Sequence, residues 1–185
     1  MDRIEYLKSL RQYGIINTVP NISDVNVKFL RDLIKISNTK NMLEIGTANG
    51  FSAINFGIEL EKVGGKLLTI DFSPKSHEEA KINIKNVGLL DTVYLVLGNA
   101  LDEIPKLLDN SYDFIFIDGM MRRSKDFLEL SLPKLKKGGI IIIDDVIKFK
   151  DKMIGLREFI EENNIEYNVL PIDLDDGVMM IVKEL

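Results

Sequence analysis

Apolar residues fall into two patterns along this chain. Where they recur every three or four positions they predict helices. Ile4, Leu7 and Leu10 mark a short leading helix broken near Gly14, and Val27, Leu30, Leu33 and Ile34 mark a second with Ser23 as its N-cap. Where apolar residues are nearly continuous, at 41–45, 66–70, 92–97, 112–117 and 139–143, they predict strands. Runs such as Phe114-Ile115-Phe116-Ile117 and Ile140-Ile141-Ile142-Ile143 lack the in–out alternation of a half-exposed sheet, so they belong to a parallel sheet covered on both faces. Helical patterns separate the strands, one of them opening at Ser73-Pro74, an N-cap followed by proline at the first helical position. After a helix at about 152–162, strands at 165–170 and 177–182 follow each other through Asp173-Leu174-Asp175-Asp176-Gly177, which predicts an antiparallel hairpin. The expected fold class is α/β: a doubly wound, mostly parallel seven-stranded sheet closed by a C-terminal antiparallel hairpin. Residues 1–185 read as a single domain, with 1–22 as a helical extension and 23–185 as the core.

Composition narrows the class. The chain has 185 residues, enough for one full core, with 45% hydrophobic and 29% charged residues. A net charge of −5 argues against wholesale binding to nucleic acid or to anionic membrane. The absence of cysteine excludes disulfides, thiolate metal sites and cysteine nucleophiles. The N-terminal MDRIEYLKSLRQYG is charged and periodic, unlike a signal peptide, and no apolar run reaches the length of a membrane span. A cytoplasmic location is the expectation.

The most informative stretch is Leu43-Glu44-Ile45-Gly46-Thr47-Ala48-Asn49-Gly50-Phe51-Ser52. It joins a strand to a helix through Gly46 and Gly50. Glycine there lets the backbone approach a ligand, and a helix opening at the turn aims free N–H groups at an anion. Asp71 ends the next strand and is placed to hold a ribose. An ordinary glycine-containing strand–helix turn fits the same residues. As a cofactor site, the loop departs from the dinucleotide GxGxxG, with Ala48 between its glycines and Glu44 at its base. A carboxylate there repels a pyrophosphate but suits the cationic amino-acid tail of S-adenosyl-L-methionine (SAM).

In an open parallel sheet, ligands bind beyond the carboxyl ends of the strands. Those ends carry Glu44 and Gly46, Asp71, Gly98-Asn99-Ala100, Asp118-Gly119 and Asp144-Asp145. Any one acid fits a helix cap or a solvated loop; as a set they fit a ligand site.

These motifs resemble those of class I SAM-dependent methyltransferases, and within that class the caffeoyl-CoA and catechol O-methyltransferase family, from about Ile22 to Lys183. LEIGTANGFSA is similar to the family's first motif, LTIDFSP to its second strand, and GNALDEIPKL to its GDALEVLPKL. YDFIFIDG is similar to its fourth strand, GGIIIIDDV to its GGIIVVDNV, and LPIDLDDGVMMIVK to its closing hairpin. The resemblance implies the Rossmann-like methyltransferase fold and transfer of a methyl group to a hydroxyl of a small molecule. It implies that Glu44, Gly46, Thr47, Gly50 and Ser52 face the methionine part of SAM. Asp71 would accept hydrogen bonds from both ribose hydroxyls beside Phe72, the backbone of Asn99 and Ala100 would hold the adenine, and Asp118 would border the cofactor. Asp118, Asp144 and Asp145 would bind a divalent cation, Mg²⁺ or else Mn²⁺ or Ca²⁺.

Departures from the family matter as well. Its loop after the fourth strand reads DADKxxY, with the lysine placed as a base; this chain has Asp118-Gly119-Met120-Met121-Arg122-Arg123-Ser124, with Met121 at that lysine's position. Asp118 and Lys125 are the remaining candidates for the catalytic proton transfer, arginine being a poor base. Asp145 replaces the family's Asn, and the short N-terminal region is the part that, in the family, closes the acceptor pocket and pairs subunits into a homodimer. Met120 and Met121 read as pocket or lid residues. Arg122, Arg123 and Lys125 read as a solvated helix start, and the lone His77 as a surface residue. Two alternatives stand beside the small-molecule enzyme: a tRNA hydroxy-nucleoside methyltransferase, which would need a basic face at Arg11, Lys148, Lys150 and Lys152, and a SAM-binding protein without transfer activity.

Overall fold

The computed structural model describes residues 2–184. Each continuous apolar run is a strand: β1 (Asn41–Ile45), β2 (Lys66–Asp71), β3 (Val93–Leu97), β4 (Tyr112–Ile117) and β5 (Leu135–Ile143), all parallel to their neighbours in this group. The hairpin strands β6 (Asn168–Leu170) and β7 (Val178–Val182) pair antiparallel, and β7 also runs antiparallel to β5. The sheet order is β3-β2-β1-β4-β5-β7-β6. β1 therefore has β2 on one side and β4 on the other, and the order of the strands reverses between β1 and β4. A crevice opens at the carboxyl ends of these two strands.

Among the described residues, seven α-helices surround the sheet: α1 (Arg3–Ile16), α2 (Asp24–Ile36), α3 (Phe51–Lys62), α4 (Pro74–Asn86), the short α5 (Ala100–Glu103), α6 (Ser124–Ser131) and α7 (Ile154–Glu162). Ser23 and Ser73 cap α2 and α4 as expected, their hydroxyls accepting from the amides of Asn26 and Ser76. Successive strand residues point to opposite faces, which divides the core in two. Met42, Phe114 and Phe116 pack with α1 to α4, where the Phe56 and Phe116 rings meet edge to face at 5.5 Å. Leu43, Ile45, Ile115 and Ile117 pack on the other face with Phe127, Leu128, Leu156 and Ile160 of α6 and α7. Continuous apolar strands are thus the consequence of two covered faces.

Three boundaries differ from the sequence reading. α1 continues through Gly14 to Ile16, because Gly14 is buried against Asn21, whose amide nitrogen would lie 2.3 Å from a Cβ there. β5 begins at Leu135, ahead of the apolar run, with a register shift opposite Tyr112 and Phe114. β6 is shorter than expected: Asn164 is left-handed and Ile165 donates back to the Ile160 carbonyl, so Ile165 closes α7 and does not start the strand. Among the described residues no helix is long and apolar enough to cross a membrane.

Candidate functional site

The loop between β1 and α3 is held in a shape that side chains would obstruct. Gly46 has φ +101°, and a Cβ on it would lie 2.1 Å from the Asp118 carbonyl oxygen at the end of β4. Gly50, with φ +84°, precedes α3 and lies against Ala80 of α4. Backbone bonds lengthen the ladders into the crevice: Gly46 donates to Ile70, Gly98 to Asp71, Asp118 to Ile45 and Asp144 to Ile117. Every strand end named from the sequence is thereby tied to its neighbour.

Glu44 lies beneath the loop and is fully buried. Its oxygens accept 2.6 Å hydrogen bonds from the hydroxyls of Ser52 and Thr69. Because the Thr69 proton goes to Glu44, the 2.6 Å contact between Thr47 and Thr69 has Thr47 as its donor. Among the described residues no cation partners Glu44, and burial, with a smaller contribution from the charge of Asp71, pushes its carboxyl up to about 7 against the opposing pull of the two hydroxyls. Asp71 binds the loop from the other side. Its Oδ2 accepts from the amides of Thr47 and Ala48 at 3.0 and 2.9 Å, and its Oδ1 from Ser73 at 2.8 Å. A carboxylate offers about four acceptor positions. One position, on Oδ1, is left for a ribose hydroxyl, where the resemblance implied two bonds.

Asp118, Asp144 and Asp145 follow β4 and β5, near enough for their charges to act on one another. Burial raises all three carboxyls. That of Asp118 goes well above its usual range, with the charges of Asp144, Asp145 and Glu44 adding to the effect. Asp144 rises to about 6 and Asp145 to about 7. Sequence reading missed Asn26. This α2 residue is 3% exposed, and its Nδ2 donates to both oxygens of Asp144, at 2.9 and 3.0 Å. An ionised carboxylate only accepts, so the amide orientation is fixed and Oδ1 is left buried without a donor. Asp173 and Asp176, on the loop between β6 and β7, were also missed as structural ties. Asp173 accepts from Ser23, and Asp176 accepts from the amides of Ile147 and Lys148. The three carboxylates and the orphaned Oδ1 supply oxygen donors only, which suit a hard divalent cation. The expected convergence on a metal is nonetheless incomplete. Among the described residues no three acidic or histidine side chains are gathered so as to hold an ion. Asn26 occupies Asp144, and Asp145 sits in a left-handed turn with φ +63°.

The remaining candidates are placed as follows. Phe72 is exposed beside Asp71, and Ala100 is buried at the start of α5, which the Asn99 side chain caps by accepting from Leu101. Met121 packs against the core in a turn of 3-10 helix, and Met120 is exposed. Lys125 pairs with Glu129 and lies over the Phe159 ring, so its ammonium is engaged between α6 and α7. Arg11 is spent inside the fold, over the Phe51 ring and on the carbonyls of Asn21 and Ile22, and Lys148 pairs with Asp175. Of the four residues named for a basic face, Arg11 is thus turned into the fold, while Lys148 stays exposed beside Asp175. His77, expected at the surface, is half-buried on α4 with Nδ1 unpartnered.

Comparison with known proteins bears on this arrangement. The O-methyltransferase family profile matches residues 1–154. A catechol O-methyltransferase of Mycobacterium tuberculosis is 32% identical over 121 residues, covering 65% of this chain and 54% of that protein. Caffeoyl-CoA O-methyltransferase 2 of Petunia hybrida is 30% identical over 125 residues, covering 65% of this chain and 51% of that protein. The chain thus spans about half the length of these curated relatives. A crystal structure of the O-methyltransferase from Bacillus cereus in complex with SAH is similar with a TM-score of 0.84 and 28% identity, covering 97% of this chain and 91% of that one. With a family profile matching residues 1–154, most of its length, the chain belongs to the O-methyltransferase family.

Proposed function

We propose that this protein is a SAM-dependent O-methyltransferase acting on a hydroxyl of a small molecule. Glu44 carries the reading: a buried carboxylate with hydroxyl partners and no cation is completed by a ligand that brings a positive charge, as the ammonium of SAM does. A nicotinamide dinucleotide brings a pyrophosphate, which that carboxylate repels. The SAH-bound Bacillus cereus relative supports the same cofactor. Bound SAM would supply a methyl group on a cationic sulfur, the carbon–sulfur bond giving way to a carbon–oxygen bond to the acceptor while the hydroxyl proton passes to solvent. The chain's part is to position. Asp71 fixes the loop backbone, Ser52 and Thr69 orient Glu44, and Asp118 borders the crevice where the strand order reverses. Asp118, Asp144 and Asp145 would hold a divalent cation only by drawing closer together, and the cation would then lower the pKa of an acceptor hydroxyl.

Calorimetric titration with SAM, S-adenosylhomocysteine (SAH) and NAD tests the cofactor, and tighter binding of NAD would overturn the reading. Radiolabelled SAM offered with catechols, other phenols and tRNA in parallel tests the acceptor. Label entering RNA alone would replace the small-molecule acceptor with a nucleoside. Binding without transfer to any acceptor would favour the SAM-binding protein.

A further inference from the structure

The leading helix α1 is joined to the cofactor loop by a chain of hydrogen bonds whose every direction is fixed. The Asn49 carbonyl, inside the loop, can only accept, so Asn83 of α4 must present Nδ2 to it, at 2.8 Å. Asn83 then turns Oδ1 toward α1, where the Tyr6 hydroxyl donates to it at 2.7 Å. Having given its proton, Tyr6 accepts from Asn86 Nδ2 at 3.0 Å. Asn49 and Asn83 are buried, so neither has water as a ready substitute.

The surroundings reinforce this path. Arg3 anchors the start of α1 by donating to the carbonyls of Val87 and Gly88 after α4 and by pairing with Glu61 of α3. Ala80, one turn before Asn83, is the residue packed against Gly50. α4 therefore supports the loop with a methyl group and an amide together, and Tyr6 fixes which way that amide faces.

We infer that Tyr6 and Asn83 are positioning residues for the cofactor, holding the Thr47–Gly50 loop in its binding shape from the outer surface of the fold. The inference rests on the proposed reading of this loop as the SAM site. α1 then has a role separate from any contact with the methyl acceptor: its docking sets the affinity of a site that Tyr6 itself does not line.

The test is calorimetric titration of the whole chain with SAH, with thermal melting and amide hydrogen exchange on the same samples. Tyr6→Phe removes the donor and orphans Asn83 Oδ1. Asn83→Asp keeps an acceptor for Tyr6 but sets a carboxylate oxygen against the Asn49 carbonyl. Glu61→Gln is the control, loosening α1 through the Arg3 pair without touching the relay. Expected are SAH affinities weaker by about three- to tenfold in Tyr6→Phe and at least as much in Asn83→Asp, the size of one lost buried hydrogen bond. Faster exchange at the Thr47 and Ala48 amides should accompany this, with affinity unchanged in Glu61→Gln. Wild-type affinity in both relay variants would overturn the inference, as would equal weakening in Glu61→Gln, which would assign the effect to helix docking in general. Should Tyr6→Phe melt below the assay temperature, Asn83→Asp carries the test alone. A wild-type chain that binds no SAH overturns the cofactor reading itself, a result distinguishable from either of these.

Discussion

Replacing Glu44 by Gln should make the ligand-free protein more stable at alkaline pH and a weaker binder of SAH. The carboxyl is fully buried and raised from 4.5 to about 7. A carboxyl whose pKa is raised on folding favours the folded state while it is protonated. That contribution is whole below pH 4.5 and is lost as the pH climbs through 7. At about 1.36 kcal/mol per unit, the shift corresponds to roughly 3 kcal/mol of stability forfeited by the ionised form. Gln removes the titration but makes one of the Ser52 and Thr69 hydroxyls reverse its role, at a cost of about 1 kcal/mol. The variant should therefore lie about 1 kcal/mol below wild type at pH 4 and about 2 kcal/mol above it at pH 8. Urea unfolding at the two pH values measures this, and the wild-type-minus-variant difference cancels the titration of Asp144 and Asp145. Calorimetry should show SAH affinity reduced at least about tenfold, the worth of a charged hydrogen bond. Wild-type binding near pH 6 should also release protons, detectable as a dependence of the heat on buffer, because an ammonium beside Glu44 draws its pKa back down. A difference in stability that is the same at pH 4 and pH 8 would refute the reasoning.

Asp71→Ala should weaken SAH binding at least about tenfold and lower stability by about 1–3 kcal/mol, since the amides of Thr47 and Ala48 lose their acceptor; calorimetry and urea unfolding report the two effects separately. Gly46→Ala should prevent folding or cost about 3 kcal/mol or more, because the new methyl meets the Asp118 carbonyl at a positive φ; a melting temperature within a degree of wild type would contradict that contact. Millimolar Mg²⁺ or Mn²⁺ should raise the melting temperature by a few degrees through relief of repulsion among Asp118, Asp144 and Asp145, and Asp144→Asn should abolish the rise.

Much of this architecture can be read from the chain because the strands are covered on both faces and so advertise themselves as unbroken apolar runs. Phe114 to Ile117 and Ile140 to Ile143 are strands for that reason, and the acids that follow them lie at the crevice by topology alone. What was illegible depends on contacts distant in sequence. Nothing local in Asp24-Val25-Asn26-Val27 distinguishes a helix-face amide from the clamp on Asp144, which lies 118 residues away. The hairpin loop could be named a turn, but not the tie of Asp173 to Ser23 across 150 residues. Gly14 read as a helix breaker because its packing against Asn21 is tertiary. Nor does the chain reveal that Lys125 lies over the ring of Phe159, 34 residues on.

The placement of β1 between β2 and β4 also has a kinetic consequence. β2 follows β1 after a single helix, whereas β4 pairs Phe114 with Met42, so the centre of the sheet waits for some seventy intervening residues to be made. During synthesis from the N-terminus, one edge of β1 stays unpaired through that interval, with Leu43 and Ile45 lacking the neighbours that cover them in the finished fold. The glycine loop waits as well, since the Asp118 carbonyl that defines the space beside Gly46 arrives on the same late strand. Competence to bind a ligand is therefore gained only when the two halves of the sheet join.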